Sequence, residues 1–205
     1  MKTGRGKIII ISSPSGGGKS SICRALLKRH QKDGWAFSVS YTTRPPRTGE
    51  KNGREYYFVS SSEFSDLQKR GFFAESCRVH TYRYGTPRRP LDGVLKNGGV
   101  ILLDVDVKGA FKIKRLYPEG ALVFILPPSR AELKRRLKKR GTEDDKQLKI
   151  RLDRAVKEMG LFSKFEYVVI NKNLETAIDE VDMIIETLHC RRKNLNLELI
   201  RRIIG

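Results

Sequence analysis

Residues 7–11 read KIIII, one lysine and then four isoleucines with no polar residue among them. A run this short, β-branched and closed by Ser12, Ser13 and Pro14, predicts a strand buried on both faces, as in a parallel sheet. Three glycines follow at 16–18. From Ser20 to about His30, the apolar positions Ile22, Leu26 and Leu27 gather on one side of a helix. Strand, glycine turn and helix in that order open an α/β unit. VILLDV at 100–105 and the run 121–126 predict two further buried strands, and 168–170 a fourth. Towards the end, Ile178, Val181, Ile185 and Leu188 share one face of a helix over 175–188.

Two stretches break this rhythm. Between 38 and 84, short segments rich in Val, Tyr and Phe (38–41, 56–59, 72–77) alternate with turns such as Pro45-Pro46 and Asn52-Gly53, which predicts a small sheet of its own. A helix over 63–70 sits inside it, with Ser60 and Glu63 spaced as a capping box and Gly71 as its stop. Between 128 and 158 the chain is strongly basic, yet Leu133 and Leu137, then Leu148 and Leu152, keep helical spacing. With no repeat and no low-complexity linker, the pattern describes one α/β core carrying two inserted lobes, at 38–92 and 128–156.

The 205 residues, 39% of them hydrophobic, suffice for one sizeable core. The apolar runs at 8–11 and 121–126 fall far short of the ~20 residues a membrane helix needs, and the four isoleucines stop short of a signal-peptide core. Cys23, Cys77 and Cys190 are odd in number and far apart, with no metal-ligand spacing, which fits a reduced, cytoplasmic protein. Charge alters the picture more: 42 Lys and Arg against 23 Asp and Glu leave +19, implying anionic partners. Nucleic acid is not expected among them, because neither the aromatic pattern of an RNA-recognition motif nor zinc-finger spacing is present.

Ser13-Pro14-Ser15-Gly16-Gly17-Gly18-Lys19-Ser20 nearly matches the phosphate-loop pattern G-x-x-x-x-G-K-[S/T], with Ser13 in place of the first glycine. Glycines let successive backbone N–H groups curl round a phosphate, and the helix that follows points its positive end at it. Lys19 reaches the outer phosphates and the Ser20 hydroxyl can bind Mg²⁺. Asp104 and Asp106 end the strand at 100–105, two apart and so on one face, where ligands of parallel sheets bind; Asp104 can hold Mg²⁺ through water. Arg136 and Arg140 are four apart on one helix face, with Arg151 and Arg154 downstream, suited to clamping a triphosphate. Arg44 and Arg47 flank Pro45-Pro46, which restrict the backbone and hold two guanidinium groups ready for a second phosphate; Tyr56 and Tyr84 can add hydroxyl donors.

From end to end the chain resembles the guanylate kinase family. The matching pieces are PSGGGKS (14–20), SYTTRPPRTGE (40–50) with Gly53 and Tyr56, then Glu75, Tyr84-Gly85-Thr86 and Asp104-Val105-Asp106. Lys108-Gly109, Ile125-Leu126-Pro127-Pro128-Ser129, Arg136, Arg140-Gly141, Arg151 and Ile170-Asn171 complete the series. Many nucleotide-binding proteins share the phosphate loop; the TTRPPR segment, in order with the rest, is far more specific.

The resemblance implies an α/β fold: a P-loop core (1–37, 93–127 and 157–205) with a parallel β-sheet flanked by helices, a small mixed α+β monophosphate-binding lobe (38–92) and a helical lid (128–156). It implies transfer of the γ-phosphoryl group of ATP to GMP and dGMP, with Mg²⁺, in purine nucleotide metabolism, by a monomer or homodimer. ATP would be held by Ser13, Pro14, Ser15, Gly16, Gly17, Gly18, Lys19, Ser20 and Ser21 with Arg140 and Asn171. Ser40, Glu75, Thr86 and Asp106 would read guanine; Arg44, Arg47, Tyr56 and Tyr84 would hold the GMP phosphate. Lys19, Arg44, Arg136 and Arg151 would be catalytic, and Ser20 with Asp104 would hold the metal. Lys108 stands where the family has Gln, Tyr82-Arg83-Tyr84-Gly85 replaces Asn-Tyr-Tyr-Gly, and Pro87 and Pro90 make an unusual helix start.

Two rival readings remain at this level: a non-catalytic binding module of the same fold, and a kinase for another small phosphate acceptor. Intact Lys19-Ser20 with the lid arginines weighs against the first, and Glu75 with Ser40 and Thr86 against the second. The two arginine-bearing lobes are expected to stand apart until nucleotides bring them together.

Overall fold

Alternation along the isoleucine run sets the architecture. In the computed structural model, which describes residues 6–79, 81–139, 145–190 and 201, strand β1 (Lys7–Ser12) lies at the centre of a sheet. Ile9 and Ile11 face one apolar cluster, and Ile8 and Ile10 face another on the opposite side. The sheet is parallel and five-stranded, in the order β2 (Ala36–Phe37), β7 (Val100–Asp104), β1, β8 (Ala121–Leu126), β9 (Tyr167–Ile170). Helices α1 (Lys19–Arg29) and α7 (Leu174–Thr187) cover the Ile9 face, and α3 (Arg88–Asn97) and α4 (Val107–Leu116) the Ile8 face. Arg29 ties α1 to Asp179 at 2.8 Å and Asp182 at 2.9 Å of α7.

Register places the site. Ile11 pairs with Asp104 across β1 and β7, so Asp104 is level with the end of β1, where the glycine loop begins. Because Val100 and Leu102 face the α1 side, strand alternation turns Asp104 to that side as well. The strand stops there. Asp106 lies beyond it as the N-cap of α4, accepting a hydrogen bond from the Gly109 N–H at 2.7 Å. The expectation that the two carboxylates share a strand face is therefore corrected: a helix cap has replaced the last strand position.

A second sheet, ordered β4 (Tyr57–Phe58), β3 (Tyr41–Thr42), β6 (Tyr82–Pro87), β5 (Phe73–Val79), forms the 38–87 region. It differs from the sequence expectation in two ways. The expected 38–41 segment reduces to a two-residue strand at its end, Tyr41 and Thr42, while Ala36 and Phe37 just before it join the core sheet. Strand β6, whose Arg, Gly and Pro hide its pattern, is its antiparallel centre. Helix α2 (Ser61–Lys69) starts on Ser60, whose Oγ accepts from the Glu63 N–H at 3.1 Å, and ends before Gly71 at φ 66. Arg83 explains its own departure from the family pattern. Its guanidinium lies 4.7 Å from the ring of buried Phe64 and donates to Ser65 Oγ and the Ser61 carbonyl, pinning α2 to β6.

Pro87 and Pro90 fit α3 because Pro87 is the N-cap and Pro90 falls in the first turn, where an N–H has no helical acceptor. Helices α5 (Arg130–Lys139) and α6 (Asp145–Met159) pack through their own cluster of Leu133, Leu137, Leu148 and Ala155.

Candidate active site

The glycine loop joins β1 to α1 and lies against α5. Gly18, at φ 99, is the α1 N-cap, and a side chain there would meet Asn171 Nδ2 at 2.3 Å. Gly17 is bare for a different reason: its Cβ would fall 2.7 Å from that of Ser13, so the serine in the first position requires a glycine at the fifth. No side chain caps α1 and its first turn holds no acid, so the helix N-terminus presents its positive end to the loop. Ser21 N–H bonds the Gly18 carbonyl at 3.1 Å. Pro14 accepts the Gly17 N–H at 2.9 Å, and Ser13 Oγ donates to the Pro14 carbonyl at 2.9 Å. Gly16 packs on Leu133 and Leu137 of α5.

Lys19, Ser20 and Asp104 come together at the mouth of the loop. Lys19 Nζ is 3.0 Å from Asp104 Oδ1, and Ser20 Oγ donates to Asp104 Oδ2 at 2.5 Å. Burial alone would lower the Lys19 pKa, but the Asp104 carboxylate outweighs it and the ammonium is held more firmly than usual.

The α5–α6 pair sends two arginines to this loop. Arg136 donates to the Asn171 carbonyl at 2.9 Å and the Gly17 carbonyl at 3.5 Å, and Glu132 steadies it at 2.7 Å. Buried Asn171 donates to the same Gly17 carbonyl at 3.0 Å. Arg151 donates to Ser15 Oγ at 2.9 Å. These two arginines bridge the loop to α5 and α6. Arg154 instead pairs with Glu158 at 2.9 Å, and Arg140 lies outside the described residues.

On the other side of the loop, Arg44 is 7% exposed. One of its amino groups donates to both oxygens of Glu50 at 2.9 Å, and the other to the Pro45 carbonyl at 2.8 Å. Its guanidinium carbon is 5.4 Å from the Tyr56 ring centroid, within cation–π range, and Glu50, with Tyr84, holds the charge against burial. Arg47 differs: its backbone N–H bonds Glu50 at 2.8 Å and its side chain is exposed. Burial pushes the Tyr56 hydroxyl up to about 12, with nearby Asp104 adding to the rise and Lys19 opposing it.

Farther in, β5 and β6 pair Glu75 with Thr86 and Cys77 with Tyr84. Thr86 donates to Glu75 Oε1 at 2.9 Å, while Glu75 Oε2 is buried without a hydrogen-bond partner among the described residues. Burial lifts the Glu75 carboxyl to about 7; the Thr86 bond opposes this and the Asp106 carboxylate adds to it. Ser40 is buried beside β3, its carbonyl accepting the Tyr57 N–H at 2.9 Å. Lys108 is exposed and absent from the Asp106 contacts, which go to Gly109 and Cys77.

Two residues here were not singled out from sequence. Glu50 sets the Arg44 side chain, and the turn at Gly49, φ 84, that folds it back was a legible signal. Cys77 contacts Asp106 across two elements distant in sequence, and no local pattern announces it.

Comparisons with known proteins agree on one family. A family model described as guanylate kinase matches residues 5–188. A guanylate kinase of Caldanaerobacter subterraneus is 41% identical over 198 residues, 95% of each chain. One of Clostridium tetani is 43% identical over 187 residues, 91% of this chain and 88% of that one. Among solved structures, the guanylate kinase from Anaplasma phagocytophilum superposes with a TM-score of 0.78 at 32% identity, over 93% of this chain and 89% of that one.

Proposed function

The chain belongs to the guanylate kinase family, and from that we infer that it transfers the γ-phosphoryl group of ATP to GMP, giving ADP and GDP. One observation in its own structure supports this most: a phosphate loop with Lys19, Ser20 and Asp104 in contact, facing a lobe that carries a buried arginine and a buried carboxylate with one oxygen free among the described residues.

The donor triphosphate lies along the loop amides and the α1 N-terminus, with Lys19 on its outer phosphates and Ser13 to Ser21 lining it. The oxygens of Ser20 and Asp104 suit Mg²⁺, which takes one or two protein oxygens and keeps several waters. Bound there, Mg²⁺ would neutralise charge on the β and γ phosphate oxygens. Arg44, Arg47, Tyr56 and Tyr84 hold the acceptor phosphate, and Glu50 keeps Arg44 extended by a forked contact. The nucleophile is already an anionic phosphate oxygen, so positioning and charge stabilisation carry the reaction without a dedicated base. Arg136 and Arg151 reach the loop from α5 and α6 and supply that charge, and the 128–156 segment serves as the lid.

Guanine offers a ring N–H and an amino group to Glu75 and Asp106, and a carbonyl oxygen to the Ser40 hydroxyl, while Thr86, its proton given to Glu75 Oε1, orients that carboxylate towards the base. Adenine presents neither donor there and leaves buried carboxylate oxygen unpaired. dGMP keeps the whole base and is accepted too. Among the described residues no helix is long and apolar enough to cross a membrane, and the three cysteines are free, which supports a reduced, cytoplasmic setting. A coupled ADP-release assay with Mg-ATP across GMP, dGMP, AMP, CMP and UMP tests the reading. Turnover is expected with the two guanine nucleotides; equal rates for AMP and GMP would overturn the guanine assignment.

A further inference from the structure

Asp106 has two donors on a single oxygen. Its Oδ1 accepts from the Gly109 N–H at 2.7 Å and from the Cys77 thiol at 3.5 Å, while Oδ2 takes neither. Cys77 is two residues beyond Glu75 on β5, so both side chains point to the same face, and its cross-strand partner is Tyr84. Glu75 is arranged in the same way: Thr86 occupies Oε1, and Oε2, on a residue 7% exposed, is left without a partner among the described residues. Each carboxylate thus has one oxygen tied to the protein. Gly109 packs against both, since a side chain there would meet Asp106 Oδ1 at 3.0 Å and Glu75 at 3.4 Å.

We propose that Cys77 is a positioning residue for guanine selection: its thiol, with the Gly109 amide, fixes the Asp106 carboxylate so that Oδ2 is aimed at the exocyclic amino group of the base. This rests on the GMP reading above and deepens it. The Gly109 amide alone leaves a carboxylate able to rotate about its bond; a second donor from a different element selects one orientation. The thiol remains a donor, because burial and the neighbouring Asp106 and Glu75 carboxylates all oppose its ionisation. Lys112 is the cation on this side. Its ammonium bonds the Ser76 carbonyl, holding α4 on β5 and so Asp106 beside Cys77.

The test compares the full chain with Cys77→Ala, Cys77→Val and Cys77→Ser at saturating Mg-ATP. The readings are KM and kcat for GMP and the inhibition constant for IMP, which lacks the amino group. Losing one hydrogen-bond donor is expected to raise KM for GMP roughly fivefold in the Ala and Val variants. Their kcat and IMP inhibition stay within about twofold, so discrimination narrows by the same factor. Cys77→Ser restores a donor and should behave as the parent. If GMP and IMP weaken together, or if Ser loses as much as Val, the thiol only fills space and the proposal falls. A parent chain that turns over another nucleotide but not GMP would instead overturn the guanine reading.

Discussion

Lys19 makes its ion pair with Asp104 at 3.0 Å in a site that keeps it charged, so its contribution is to phosphate rather than to packing. Replacing it with alanine is expected to cut turnover by about 10²–10³-fold, in line with loss of a preorganised charged donor. The variant should remain folded by circular dichroism, because Ser20 still engages Asp104. Glu75 gives a prediction of another kind. Its carboxyl titrates at about 7 in the fold and at 4.5 as an ordinary side chain. The folded state therefore prefers the proton; the associated stability is full below 4.5 and is lost as pH rises through about 7. Guanine needs the ionised form, so KM for GMP should fall as pH is raised across that value. Glu75→Gln should abolish this dependence, raise KM, and leave the chain more stable than the parent at pH 8 by about 1–3 kcal/mol in urea unfolding. Lys19 was picked out by the glycine loop before it, and Glu75 by the family resemblance. Cys77 was not, because its partner Asp106 is reached only when β5 packs against the start of α4.

Among the elements, α2 was expected from its cap, and the cap is the right place to probe it. Ser60 Oγ holds the Glu63 N–H at 3.1 Å. Ser60→Ala should cost about 1 kcal/mol, read as a lowered thermal midpoint, with KM for ATP unchanged since α2 is remote from the phosphate loop. Arg83 is a counterpart that sequence alone left ambiguous: only the placement of α2 over β6 shows its guanidinium against Phe64 and Ser65. Strand β6 escaped notice for a related reason. Gly85 and Pro87 argue against a strand interior, yet a Gly85 side chain would lie 2.7 Å from the Phe73 ring, so glycine is required where the two strands cross. Strand β2 is two residues long and carries no pattern; pairing with Ile101 and Leu102 alone defines it.

For the whole molecule, the contacts of Arg136 and Arg151 with the phosphate loop change what ligand binding should move. An ATP analogue meets a loop already engaged by α5 and α6, and should alter the radius of gyration little. GMP added with it brings negative charge to Arg44 and Arg47, and the 38–92 lobe should then draw towards the core. Small-angle scattering and spin-label distances between that lobe and α7 check this. Unchanged distances with both sites saturated would contradict it.

By itself the sequence determined the parallel core and the phosphate loop, marked two segments that break the core's pattern, and pointed to candidate residues for nucleotide contact. Those features are local: an apolar β-branched run, glycines before a lysine and a serine, leucines four apart, arginines beside prolines. Only the tertiary structure decided that Asp104 and Asp106 part company, one joining the phosphate loop and the other capping α4 beside Glu75. It also decided that Glu50 governs Arg44, and that Cys77 and Gly109 share Asp106 Oδ1. These pairings depend on where a strand stops and which helix packs across it, and such contacts form between segments whose separation along the chain leaves no periodic trace.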